Sequence, residues 1–147
     1  MHSKHICHRD IKLDNLIYNK LTGSLKLVDF GFATSCKERH RLGCGTPSYM
    51  APEIVAKREY SGSETDMWAT GVCVYTILTG YLPFKGRDEK DLYRKIQLGK
   101  YAPPINAKNA PLTEQARDLI SSLLCLEANT RMSAKEALKH PWLKMYI

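Results

Sequence analysis

The residues His8-Arg9-Asp10-Ile11-Lys12-Leu13-Asp14-Asn15 read HRDIKLDN and stand directly before two short apolar runs. Those runs, residues 16–19 (LIYN) and 24–30 (SLKLVDF), flank KLTG, where the Thr22-Gly23 pair supplies a turn. The pattern predicts a β-hairpin. A hairpin returns its two ends to the same side, so Asp29 is expected near Asn15 and Asp10. Oxygen ligands grouped in this way suit Mg²⁺, a hard cation. Lys12 adds a positive charge beside them, suited to a phosphate. Taken singly each residue says little, because an Asp beside a Gly is most often a turn residue. The combination at this spacing is what points to chemistry.

Outward from the hairpin, residues 31–52 keep neither helical nor strand period and read as one long loop, a length usually tied to function. Helices follow. Pro52 opens a short one through Ala56. Ser61-Gly62-Ser63-Glu64 reads as a capping box at the head of an apolar helix, MWATGVCVYTIL over 67–78, that ends near Gly80. Residues 88–98 carry Leu92, Tyr93 and Ile96 at helical spacing and are closed by Gly99. Thr113 caps a helix with Ala116, Leu119, Ile120, Leu123 and Leu124 on one face. Ser133-Ala134-Lys135-Glu136 is a second capping box, and His140-Pro141 stops the last helix. The expected fold class is mainly α with a small β-hairpin.

A chain of 147 residues with 44% hydrophobic content suits one domain with a buried core. The apolar run 67–78 is too short to span a bilayer, which takes about 20 residues, so no membrane partner is expected. The N-terminal residues MHSKHICHRD lack an apolar leader core, and no secretory signal is expected. Five scattered cysteines without a C-x-x-C pair argue for reduced thiols and an intracellular setting, cytoplasmic or nuclear. Cys36 and Cys44 share the long loop but are read as unpaired. His2, His5 and His8 recur every three residues without matching carboxylates or thiols, and are read as helix-end and loop residues rather than a metal site. The net charge of +7 is spread along the chain. Its one tight knot, KERHR over 37–41, lacks interleaved aromatics, so no nucleic-acid partner is expected.

The motifs Asp10 with His8, Arg9 and Asn15, then Asp29-Phe30-Gly31, then Ala51-Pro52-Glu53 resemble the protein-kinase signature in order and spacing, with Ile11 where Leu is usual. The resemblance continues through Asp66-Met67-Trp68-Ala69-Thr70-Gly71 and Asn129-Thr130-Arg131 to His140-Pro141-Trp142, and so covers essentially the whole chain. GTPSYMAPE and YTILTGYLPF are most similar to the calmodulin-dependent and AMP-activated group. The resemblance implies a kinase C-terminal lobe with ATP and Mg²⁺ as cofactors and a protein substrate bearing a serine or threonine acceptor. It implies that Asp10 orients the acceptor hydroxyl and takes its proton, and that Asn15 and Asp29 hold the metal on the ATP phosphates. Lys12 resembles the lysine that meets the transferred phosphoryl group. Thr46 resembles the threonine that bonds both Asp10 and Lys12. Leu16 and Ile17 lie where the family packs apolar side chains under the adenine. Glu53 with Arg131 resembles a buried ion pair, Asp66 a brace for the catalytic-loop backbone, and His8 with Phe30 a packed spine.

The 147 residues contain no G-x-G-x-x-G and no V-A-I-K, which a kinase needs over the ATP phosphates. The expectation is therefore a partial protein kinase domain over 1–147, lacking the N-terminal β lobe: a fragment, or a reading frame begun at an internal Met. Alone it is expected to be inactive. The alternative expectation is a non-catalytic C-lobe that serves as a protein-binding module. Thr76 stands where many relatives carry an arginine-selecting glutamate. Leu42 stands where many carry a phosphorylated threonine, so Arg9 is expected to meet another anion such as Glu38, or to remain solvated. Acceptor identity and oligomeric state are not legible.

Overall fold

The computed structural model of the chain describes residues 1–106, 108 and 110–145. Its hairpin pairs β2 (Leu16–Asn19) with β3 (Ser24–Leu27) in antiparallel register, from Leu16 opposite Leu27 to Asn19 opposite Ser24. Asn19 Oδ1 accepts from the Leu21 and Thr22 amides, and Gly23 takes the left-handed conformation (φ 67°) that closes the turn. The second strand stops at Leu27, short of the expected Phe30. Asp29 itself adopts φ 62°, which no extended strand can accommodate.

The stretch 31–52 is not featureless. β4 (Thr34–Ser35) pairs with β1 (Ile6–Cys7), and β5 (Arg39–His40) pairs with β6 (Tyr60–Ser61). Each strand is two residues long, too short for alternation to register. These two ladders stitch down the first half of the segment, beside the residues that precede Asp10 and beside the head of the long helix.

Helices form the body: α1 (Pro52–Val55), α2 (Gly62–Thr79), α3 (Glu89–Leu98), α4 (Glu114–Leu123), α5 (Ala134–Ala137) and α6 (Pro141–Lys144). Helix α2 is the axis. Trp68 and Val72 are fully buried on it, and they pack in one cluster with Tyr75, Phe84, Ile96 and Ile120. Burying each such side chain stabilises the fold by about 1.5–3 kcal/mol. A second cluster joins Met67 to Leu119, Leu123 and Ala137, with Met132 and Trp142 packed against it. Gly71 lets α4 close on α2, since a Cβ there would fall 2.8 Å from that of Leu123. Burial does not run all the way round α2: Ile77 is exposed.

The caps divide. Asp88 and Thr113 accept from the Asp91 and Ala116 amides, and Ser133 with Glu136 forms a complete capping box. The capping box expected at Ser61 does not form. The Ser61 hydroxyl bonds that of Ser63 at 3.0 Å, while Ser61 stays extended in β6. Helix α5 runs to Ala137 and its turn bonds continue to His140, where the chain becomes extended (ψ 136°) before Pro141; His140 also caps α6 by accepting from the Trp142 amide. Glu53 from α1 meets Arg131 inside the protein, with Nη1–Oε1 at 2.7 Å and Nη2–Oε2 at 2.9 Å.

Candidate active site

The segment around Asp10 is held from beneath by the first turns of α2. Asp66 Oδ2 accepts from the His8 amide at 2.8 Å, and Oδ1 accepts from the Arg9 amide at 2.7 Å. Arg9 needs that support. Its φ of 66° is left-handed, a conformation that costs a non-glycine residue about 1–2 kcal/mol. His2 adds a third bond to Asp66, from Nε2 at 2.9 Å. The His8 ring is wholly buried. Its Nε2 bonds the Val28 carbonyl at 3.0 Å and its face meets Phe30 edge-on at 4.9 Å. With Nε2 as donor, Nδ1 is the acceptor for the Asp10 amide at 3.3 Å. One imidazole therefore couples the Asp10 backbone to the end of the hairpin.

Around the Asp10 carboxylate three groups converge. Oδ1 accepts from both the amide and the hydroxyl of Thr46, each at 3.0 Å. Oδ2 lies 2.8 Å from Lys12 Nζ, and Lys12 also donates to the Thr46 hydroxyl at 2.9 Å. Burial alone would push the Asp10 carboxyl up, but the bonds from Lys12 and Thr46 outweigh it and hold the pKa below the usual carboxylate value. The bond to Asp10 correspondingly holds Lys12 up as a cation. Gly45 makes this approach possible. It has φ 100°, and a Cβ there would sit 2.8 Å from the Arg9 carbonyl.

Asn15 is buried, and its Nδ2 donates to the Asp10 carbonyl at 2.9 Å. The Val28 amide donates to the Asn15 carbonyl at 2.9 Å, so the two ends of the hairpin meet as its geometry requires. Asp29 follows directly after. Its carboxylate is exposed, accepts from the Gly31 amide at 3.3 Å, and lies close enough for its charge to act on Lys12. Asp10, Lys12, Asn15, Asp29 and Thr46 are thus gathered at one place. Leu16 and Ile17 are not jointly presented. Consecutive strand residues face opposite sides, and here Leu16 is half-buried while Ile17 is exposed.

Arg9 does not reach Glu38. Its Nε donates to the Phe32 carbonyl at 2.8 Å, and among the described residues it forms no ion pair. The nearby segment is held instead by Tyr60, fully buried, whose hydroxyl donates to the Leu42 carbonyl at 2.8 Å. Neither Tyr60 nor His2 was legible as a site neighbour, because a single aromatic or histidine carries no spacing signal. Cys36 and Cys44 are free thiols. Among the described residues no group of three or more metal-binding side chains exists and no helix is long and apolar enough to cross a membrane.

The model of the family described as the protein kinase domain matches residues 1–143. Among curated relatives, the yeast (Saccharomyces cerevisiae) protein named "Probable serine/threonine-protein kinase HSL1" is 42% identical over 147 residues, covering 99% of this chain and 9% of its own length. Serine/threonine-protein kinase DCLK3 of Homo sapiens is 40% identical over 151 residues, covering 98% of this chain and 23% of its own. CBL-interacting protein kinase 20 of Oryza sativa subsp. japonica is 40% identical over 152 residues, covering 97% and 32%. The chain therefore spans less than a third of the length of each of these relatives. With the family model matched over nearly every residue and the signature positions folded around one carboxylate, the chain belongs to the protein kinase domain family.

Proposed function

We propose that the chain is the catalytic-loop and activation-segment part of a serine/threonine protein kinase domain, which moves the γ-phosphate of ATP to a serine or threonine hydroxyl of a protein. One observation carries this reading: a buried, ionised Asp10 fixed by Thr46 and Lys12 on the same side as Asn15 and Asp29. Phosphoryl transfer asks a protein chiefly for positioning and charge, and a carboxylate already held by three partners needs no reorganisation at the moment of reaction. In this reading Asp10 orients the acceptor hydroxyl and takes its proton. Lys12 offers its cation to the transferred group. Thr46 sets the spacing between them.

The oxygen donors fit Mg²⁺. Asn15 spends its Nδ2 on the Asp10 carbonyl, which leaves Oδ1 as an acceptor, and Asp29 has an exposed carboxylate with a single long backbone bond. Two hard oxygens match an ion that takes one or two protein ligands and completes its shell with phosphate and water. Bound there, Mg²⁺ supplies neutralisation of phosphate charge. Ile17, the more exposed of the apolar pair, is the candidate for the adenine face, with Leu16 packed behind it.

Residues 1–147 are proposed to be part of a kinase domain. The Gly-rich loop and strand lysine are not among them, so this chain alone is expected to bind ATP–Mg²⁺ weakly and transfer negligibly. Five free thiols suit a reducing intracellular setting, cytoplasmic or nuclear. The test is a transfer assay on the chain joined behind the N-terminal lobe of a relative such as HSL1, followed by acid hydrolysis of the product. Phosphoserine or phosphothreonine supports the reading. Phosphotyrosine alone overturns the acceptor class.

A further inference from the structure

A second concave site lies away from Asp10, between the end of α2, the loop that follows it, and residues 100–105. It encloses about 440 Å³, within the usual range for ligand clefts. Its floor is a rigid aromatic set: Tyr101 meets Tyr75 edge-on at 5.6 Å and Phe84 edge-on at 5.8 Å, and Phe84 stacks on Trp68 at 5.6 Å. The Tyr75 hydroxyl donates to the Ala102 carbonyl at 3.1 Å and pins the far wall. The Tyr101 hydroxyl has no hydrogen-bond partner among the described residues. Tyr81, 63% exposed, and Ile105, 41% exposed, leave apolar surface at the mouth.

The rim is basic. Lys85, Lys95 and Lys100 line the cleft, and none of its lining residues is acidic. Lys85 Nζ sits 5.0 Å above the Tyr81 ring, and neither Lys85 nor Lys100 has an ion-pair partner among the described residues. Asp91 pairs with Lys95 at 3.1 Å, as well as with Arg87 and Arg94, which leaves Lys85 and Lys100 as the rim charges open to a ligand. An adjoining cleft lined by Tyr101, Pro104, Arg117, Glu114 and Asp118 continues the track past Tyr101, so its shape suits an extended chain, and its two carboxylates confine the basic rim to the Lys85–Lys100 side.

We propose that this cleft docks an acidic peptide segment of a partner protein, with one bulky apolar side chain seated on the Tyr75–Phe84–Tyr101 floor and carboxylates over Lys85 and Lys100. Aromatic floors that are already rigid bind at low ordering cost, and complementary rim charge speeds encounter and selects partners. The site does not involve Asp10, so it stands whether or not the chain transfers phosphate.

The probe is a short synthetic peptide with one phenylalanine flanked on both sides by glutamates, labelled with a fluorophore and titrated with the 147-residue chain by anisotropy. Saturable binding is expected, weakened about tenfold or more by Lys85→Glu with Lys100→Glu, consistent with like-charge juxtaposition. It is also expected to weaken when phenylalanine becomes alanine in the peptide, or on Tyr81→Ala in the protein. All three altered protein positions lie at the surface of the cleft, and unchanged circular dichroism checks their folding. Absence of saturable binding overturns the proposal. So does binding that survives the double charge reversal. Equal binding of the peptide without phenylalanine also overturns it, since that reports only general attraction to a basic surface.

Discussion

Replacing Glu53 by alanine removes one partner of an ion pair whose arginine side chain is wholly shielded from solvent. Arg131 loses two short bonds, of 2.7 and 2.9 Å, and keeps carbonyl acceptors from Cys125, Glu64 and Leu126. Those dipoles do not cancel a full charge. Leaving a buried charge uncompensated costs about 3–5 kcal/mol, a large share of the roughly 5–15 kcal/mol available to a whole domain. Urea unfolding followed by tryptophan fluorescence is a direct assay, because the Arg131 guanidinium lies 5.1 Å over the Trp68 ring. The double variant Glu53→Met with Arg131→Leu should lose less than Glu53→Ala alone, since it leaves no orphaned charge. A loss below about 1 kcal/mol for Glu53→Ala, or a double variant less stable than the single one, would refute the reasoning.

Burial pushes the Cys7 and Cys73 thiols up to about 12, so at neutral pH they should resist iodoacetamide while Cys36, Cys44 and Cys125 react, as read by mass spectrometry of timed samples. Equal labelling of all five in folded protein would contradict that burial. Asp10 has a folded pKa below the ordinary 3.8, so its contribution to stability is present above that value and lost as pH falls through the lower folded one. Asp10→Asn should therefore flatten the acid limb of the stability curve, and superimposable limbs would exclude the Lys12 and Thr46 bonds as its source. Arg9 and the Leu42 carbonyl are satisfied by neutral partners, and residues 37–44 contain no serine, threonine or tyrosine. Phosphatase treatment of an active two-lobe form should leave its rate unchanged, and a large fall would show that a site such as Ser35 governs the segment.

The hairpin and the long helices were legible because their signals are repetitive. Thr22-Gly23 between two apolar runs, the spacing of Leu92, Tyr93 and Ile96, and the caps at Thr113 and Ser133 each combine several residues that agree. What escaped was set by single contacts. The two-residue ladders of β4 and β5 exist because β1 and β6 lie alongside, and nothing in Thr34-Ser35 or Arg39-His40 announces them. Ser61 had the composition of a cap but is held in a strand, so tertiary pairing overrode a local motif. Asp29 follows the early end of β3 with a left-handed backbone, which aspartate tolerates better than most residues but which the apolar run 24–30 masked. In the site, the motif spacing grouped Asp10, Lys12, Asn15 and Asp29, and the resemblance added Thr46. The bond from Arg9 to the Phe32 carbonyl was not legible, because a backbone carbonyl has no sequence identity. Leu16 and Ile17 were grouped by the resemblance, and the pleat of the strand gives the two different exposure.

The central claim is that Asp10, held by Lys12 and Thr46, directs phosphate onto a serine or threonine hydroxyl. Its most direct test compares the chain with its Asp10→Asn variant, both joined behind the same relative's N-terminal lobe, in transfer of labelled γ-phosphate from ATP–Mg²⁺ to a serine/threonine peptide. Matched ATP–Mg²⁺ affinity for the two proteins checks that the substitution has left the nucleotide site standing. Loss of a correctly placed acid–base group costs about a hundredfold or more in rate, and the account predicts at least that fall with affinity retained. Transfer that persists undiminished in Asp10→Asn, or no transfer from a folded parent that binds ATP–Mg²⁺, would contradict it.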